Sequence, residues 1–117
     1  MIAKIEKPAT SPGPVKHTVT VKVVGRKITY DKPQVRAERG DMIEWILEGI
    51  PFAVVVKARH TPLAWAFRAA AKNAKSLEVR VREDAVPGVY PYAFCICVRD
   101  TIVIDDPEII IPPPKGR

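Results

Sequence analysis

Hydrophobic and polar positions alternate along most of this chain. From Val15 to Val24 the order VKHTVTVKVV sets Val15, His17, Val19, Val21 and Val23 against Lys16, Thr18, Thr20 and Lys22. Neighbouring side chains on a strand point to opposite faces, so this pattern predicts a strand buried on one side. The same period returns at Gln34 to Glu38, with Val35 and Ala37 inward. It recurs at Met42 to Glu48, where Ile43, Trp45 and Leu47 oppose Glu44 and Glu48, and at Ser76 to Arg82, where Leu77, Val79 and Val81 point inward. Lys27 to Tyr30 is a shorter piece. Phe52 to Ala58 differs, because Ala53 and Val55 are as apolar as Phe52, Val54 and Val56; both faces of that strand are expected to be covered. Turn residues separate these runs: Gly25-Arg26, Asp31-Lys32-Pro33, Arg39-Gly40-Asp41 and Gly49-Ile50-Pro51.

Residues 61–74 change period. Thr61 suits a helix N-cap and Pro62 the first helical position. Leu63, Ala66, Phe67, Ala70, Ala71 and Ala74 recur on one helical stripe, which predicts a short helix. Trp65 lies off that stripe, beside Arg68 and Lys72. These three form a candidate interaction surface, against the plainer reading of a Trp lying over a sheet edge. The stretch from Gly88 to Pro112 then forms a closing hairpin. Tyr90, Tyr92, Phe94, Ile96 and Val98 share one face, and Ala93, Cys95 and Cys97 the other. Asp100 allows the turn, Thr101 to Ile104 returns, and Asp105-Asp106-Pro107 kinks the chain before Glu108 to Ile111.

Short strands at regular spacing predict an all-β sandwich of about seven or eight strands, with one helix at 61–74 as a crossover. At 117 residues and 47% hydrophobic content the chain is one globular domain. Residues 1–14 form a Pro-rich arm, 15–112 the sandwich and 113–117 a tail. No apolar run reaches the roughly 20 residues of a membrane helix. The N-terminus lacks a secretory signal pattern, so the expected compartment is the cytoplasm, or the periplasm or exterior if the chain is a trimmed mature form. The C-x-C spacing puts the Cys95 and Cys97 thiols on one face, with β-carbons too far apart to bond, so free thiols are expected. The formal charge is +6, and Lys57 to Arg82 holds seven Lys or Arg against Glu78 alone. Such a stretch suits an anionic partner or a solvated surface.

Three segments together resemble the cupredoxins, the plastocyanin and azurin type of small domain. YDKPQVRAERGDMIEW is similar to the family's Pro-bearing strand that leads to Gly-Asp and a strand ending in an aromatic; here these are Pro33, Gly40, Asp41 and Trp45. GIPFAVVV resembles the segment in which Pro-His begins a strand and the His binds copper. GVYPYAF resembles the Gly-x-Tyr-x-Tyr-x-Cys strand that carries the copper thiolate. The resemblance covers residues 15–111 and implies a Greek-key β-sandwich. Carried over by position, it puts Phe52 at the first ligand His and Phe94 at the ligand Cys. Cys97 stands at the second His, and Ile102 in the region of the weak Met ligand. A type 1 site needs two imidazoles and a thiolate. The resemblance therefore implies a cupredoxin-like domain without type 1 copper, its former site filled by Phe52 against Phe94.

Function divides three ways. The preferred reading is a non-catalytic module for protein interaction or self-association, with no cofactor. The first alternative is a copper or Cu(I)-handling protein using Cys95 and Cys97, since soft ions accept thiolates. The second is binding of nucleic acid or an anionic surface through 57–82. Enzyme chemistry is not expected: His17 and His60 are far apart in sequence, and no third group is placed to orient either.

Overall fold

A computed structural model describes residues 14–71 and 73–113. The expected arm, apart from Pro14, most of the tail and Lys72 lie outside the described residues. Ten strands form among them: β1 (Lys16–Val24), β2 (Lys27–Tyr30), β3 (Gln34–Arg36), β4 (Met42–Ile46), β5 (Phe52–Val56), β6 (Phe67–Ala70), β7 (Ser76–Arg80), β8 (Gly88–Val98), β9 (Thr101–Asp105) and β10 (Glu108–Ile111). They build two sheets. One runs β2-β1-β4-β7. The other runs β3-β10-β8-β5-β6, with β9 also paired to β8. Both sheets are mixed, through the parallel pairs β1–β4 and β3–β10.

The core between the sheets is made by the residues that alternation put inward. Trp45 comes from the smaller sheet and Tyr92, Phe94 and Ile96 from the larger, all buried. Trp45 Nε1 donates to the Tyr92 hydroxyl at 2.9 Å, and the two rings meet edge to face with centroids 5.4 Å apart. Each ring thus buries its area and satisfies its polar end across the sandwich.

The expected helix at 61–74 is not formed; the segment instead supplies one of the ten strands, β6, where about seven or eight strands were expected in all. Thr61 does act as a cap, its Oγ1 accepting from the Leu63 amide at 3.1 Å, but the cap serves a local turn. Leu63 then bridges to Val81, and the Ala64 amide donates to the Arg80 carbonyl at 2.9 Å. Phe67–Ala70 pairs with Phe52–Val55 as β6. An isolated helix of 14 residues is marginal, and a mostly alanine stripe buries little. The open edges of β7 and β5 offered the same backbone groups long-range partners, and the pairing overrode the period.

The entry to β4 is held by Asp41. Gly40 before it has φ +85, and a Cβ there would come within 2.9 Å of the Glu83 carboxylate. The buried Asp41 carboxylate accepts from the Val15 amide at 3.1 Å and the Glu38 amide at 2.9 Å, and meets His17 Nε2 at 2.8 Å. His17 is thus a structural residue at the start of β1. Burial alone would raise the Asp41 carboxyl, but the His17 ring and the Glu38 and Val15 amides outweigh it and hold the group below the usual carboxylate range. A depressed folded value means that the contribution is complete above the unfolded value of 3.8 and is lost as the pH falls through the folded one. Asp41→Asn is expected to cost about 1.5–3 kcal/mol in denaturant unfolding at neutral pH. Its stability should also decline less than that of the parent between about pH 5 and pH 3.

Candidate functional site

Strand β8 and its partner β9 position the residues that the cupredoxin resemblance singles out on the closing hairpin. Tyr90 anchors its start by donating its hydroxyl to the Val86 carbonyl. On one side β8 pairs with β5, setting Phe52 opposite Ile96 and Val54 opposite Phe94. On the other side it pairs with β10 along its first half and with β9 along its second. The Asp105-Asp106-Pro107 kink lets one chain segment do both, and the Pro107 carbonyl still accepts from the Tyr92 amide at 2.9 Å.

Inside the sandwich, Phe52 and Phe94 lie in a stack, with centroids 5.2 Å apart and planes 16° from parallel. Tyr30 closes on Phe94 edge to face at 5.7 Å. All three rings are packed into the apolar core. The Tyr30 hydroxyl is buried and meets no partner in hydrogen-bond geometry. Burial first, and then the charge of Asp105, hold that phenol well above its ordinary pKa, so it stays neutral.

Cys97 and Ile102 lie on the other side of the sheet. They are direct cross-strand partners, as are Cys95 and Ile104. The reason is the turn. Arg99 and Asp100, at φ 50 and 63, make a two-residue hairpin loop of the kind that keeps both strands in register. Alternation therefore runs unbroken from Phe94 through Cys97 into Ile102. Of the four positions carried over from the resemblance, two are in the core and two on the outer face, and only Cys97 bears an atom that ligates soft metals. Both cysteines are free. Burial, then the charge of Asp106, pushes the Cys95 thiol up and disfavours its thiolate. Among the described residues no three His, Cys, Asp or Glu side chains gather where a metal ion would sit.

Trp65 lies half-buried over the core, its ring 6.1 Å from Trp45 and its Nε1 donating to the Glu78 carbonyl at 3.3 Å. Arg68 covers it, the guanidinium 5.6 Å from the ring centroid. The third residue of that candidate surface, Lys72, is outside the described residues. Among the described cations of the basic stretch, Arg59 and Arg82 line one pocket with His60, and others are taken up in local contacts. Lys57 pairs with Asp106 at 3.0 Å, Arg82 makes a double hydrogen bond with Asp84 at 2.8 and 2.9 Å, and Arg80 reaches toward the Gly40 carbonyl at 3.5 Å.

Cys95, Cys97 and Ile102 share the outer face of the larger sheet with residues that sequence reasoning did not single out as a site, Ile104, Ala53, Val55, Ala69 and Phe67. Strand pairing sets Ile104, Cys95, Ala53 and Ala69 in one row and Ala93, Val55 and Phe67 in another, with Ile102 beside Cys97. The β5 face carrying Ala53 and Val55, expected to be covered, is only half-buried, and Ile102, Ile104 and Phe67 beside it are 68%, 61% and 60% exposed. The signal was present: FAVVV, AFCIC and TIVI are apolar at successive positions instead of alternate ones.

No family model and no curated protein matches this sequence. Solved structures do match. A reduced Cu(I) form of an amicyanin variant at pH 4 aligns over 87% of this chain and 85% of its own, at 17% identity and a TM-score of 0.52. The fold is cupredoxin-like. A pseudoazurin from Sinorhizobium meliloti aligns over 85% of this chain and 75% of its own, at 18% identity and a TM-score of 0.49. An oxidised amicyanin variant aligns over 89% and 94%, at 15% identity and 0.46. As expected from the resemblance, the cupredoxin-like architecture is all-β.

Phe94→His is expected to cost about 3–5 kcal/mol, because it removes a stacked ring from the core and buries an imidazole without a partner. Denaturant unfolding checks it, and a variant as stable as the parent would show that the stack does not fill this end of the sandwich.

Proposed function

We propose that this cupredoxin-like domain is a non-catalytic interaction module that works through the outer face of its larger sheet and carries no type 1 copper. One observation supports the reading above the others: the two outer faces of the same sandwich have opposite chemistry. The smaller sheet presents Lys16, Thr18, Thr20, Lys22, Glu44, Ser76, Glu78 and Arg80 around half-buried Met42 and Ile46, with Lys16 bridging Glu44 at 3.3 Å and Glu78 at 2.8 Å. That is how a solvated sheet face is built. The larger sheet presents isoleucine, phenylalanine, valine, alanine and cysteine in adjoining rows. Ile102, Ile104 and Phe67 alone leave on the order of 300–400 Å² in water, the size of the largest apolar patch on a typical soluble monomer, which is often functional.

The copper alternative has weaker support. The Phe52–Phe94 stack brings no donor atom to the position, and Cys97 faces away from it. Amicyanin carries Cu(I) in the aligned structure, but its likeness to this chain extends to the fold alone. The pairing of Lys57 with Asp106 and of Arg82 with Asp84 weighs against a nucleic-acid surface, which needs free cations clustered on one face.

The double variant Ile102→Lys, Ile104→Glu tests the reading. Both sites are exposed, so near-ultraviolet dichroism and the unfolding midpoint are expected to stay close to those of the parent. Fluorescence of a polarity-sensitive apolar dye, read at low protein concentration, is expected to be several-fold higher for the parent. Equal dye binding would remove the outer face as an interaction site. In a parallel copper titration, tight Cu(I) uptake lost in Cys97→Ser, or an intense visible band with Cu(II), would overturn the copper-free assignment.

A further inference from the structure

The outer face of the larger sheet ends at β9, and the side of β9 turned away from β8 is open. We infer that this edge takes up an extended segment of another polypeptide, which joins the sheet as one more strand. The inference rests on the interaction reading above and gives its partner a form.

The register decides which backbone groups are free. Residues that flank a two-residue hairpin loop exchange both of their backbone bonds, and bonded and unbonded pairs then alternate. Val98 and Thr101 flank the Arg99-Asp100 loop, so Thr101, Val103 and Asp105 bond to β8. The Tyr92 amide, donating to the Pro107 carbonyl, continues the same series. The N–H and C=O groups of Ile102 and Ile104 therefore point away from β8. Among the described residues no strand pairs with that side of β9, and no backbone bond reaches Ile102 or Ile104 from it. Donors and acceptors that recur at every second residue are the complement of another extended backbone.

Every other edge strand among those described carries a device against such pairing. β2 begins with Lys27, and β6 carries Arg68. β3 is three residues long, follows Pro33 and ends in Arg36. The edge of β7 is occupied: the Arg80 carbonyl accepts from the Ala64 amide and the Glu78 carbonyl from Trp65 Nε1. β9 has five residues, TIVID, with no proline and no cation, and Asp105 at its end is its only charge.

Side chains fix the chemistry of the incoming segment. Its residues opposite Ile102 and Ile104 stand beside them on the outer face, where both isoleucines are exposed. The residue between lies beside Val103, which packs against the core. β-branched residues suit all three places, apolar ones at the outer two. Asp100 and Asp105 border β9 at its two ends, and neither makes an ion pair among the described residues, whereas Asp106 is held by Lys57. Arg99 is the one cation beside them, so the border is acidic on balance. Lysine or arginine at the ends of the segment complements it. Such a segment needs only the length of β9, about 17 Å.

The test is amide hydrogen exchange of the full chain, read residue by residue by NMR. The probe is a blocked peptide of alternating valine and threonine with a lysine at each end. In the dilute free chain the Ile102 and Ile104 amides are expected to exchange fast and those of Thr101 and Val103 slowly. Saturating peptide is expected to slow Ile102 and Ile104 about tenfold and to leave Thr101 and Val103 as they were. Ile104→Pro removes a free N–H and no bond to β8, so the fold should persist while the response at Ile102 is lost. The same peptide, N-methylated on the amides of its bonding edge, cannot donate and is expected to have no effect; this arm leaves the protein unaltered. No slowing at millimolar peptide, or slowing that the N-methylated peptide reproduces, overturns the inference. So do Ile102 and Ile104 amides already protected in the dilute free chain, which mean that the chain covers the edge itself. Protection that grows with protein concentration alone means pairing with a second copy and also overturns it. The dye judges the face separately. Dye binding lost in the double variant keeps the outer face as an interaction site when the peptide arm fails; equal dye binding removes the face, whatever the peptide does.

Discussion

The structure depends on one constraint, the unbroken two-residue period of β8. Its 11 residues run the length of the larger sheet and pair with three other strands. Because the period is strict, Tyr92, Phe94 and Ile96 all enter the core, and Ala93, Cys95 and Cys97 all leave it. The two-residue turn at Arg99-Asp100 carries the same period into β9 without a loop in which the chain might bend back over the end of the sandwich. A strand that continues cannot also curl inward. Of the four positions that the resemblance matches to copper ligands, Phe52 and Phe94 consequently stack beneath the sheet, and Cys97 and Ile102 pair above it.

Two polar anchors keep this arrangement in register. The Trp45–Tyr92 hydrogen bond ties the sheets together at the centre of the core, where neither ring would tolerate an unpaired polar atom. Asp41 ties the start of β1 to the turn before β4, collecting two amides and the His17 ring on one carboxylate. Both are long-range contacts between residues far apart in sequence. Neither takes part in the outer face that we propose as the interaction site.

Much of the sandwich was legible in the chain. Alternation located the strand faces, including the inward set of β8 and the burial of Trp45 and Leu47. The Phe52–Phe94 contact followed from the motif positions. The helix at 61–74 was not legible, because the stripe that suggests it is mostly alanine, which packs equally well in a strand; what decided between them was whether a neighbouring edge was open. The outer face was written in the same letters as the core. FAVVV and TIVI carry no mark that tells a strand covered on both sides from one left open, and only the absence of a helix above it, among the described residues, made the difference.

By itself, then, the sequence determined which side of each strand is apolar, because that follows from a local geometric period. Through the cupredoxin resemblance, it also matched Phe52 and Phe94 to positions at which that family would need imidazole and thiolate. Tertiary structure alone decided which strands lie side by side, since pairing depends on edges contributed by distant segments. It decided that Ile102, Ile104, Cys95, Ala53 and Phe67, spread over about 50 positions of chain, join into one surface.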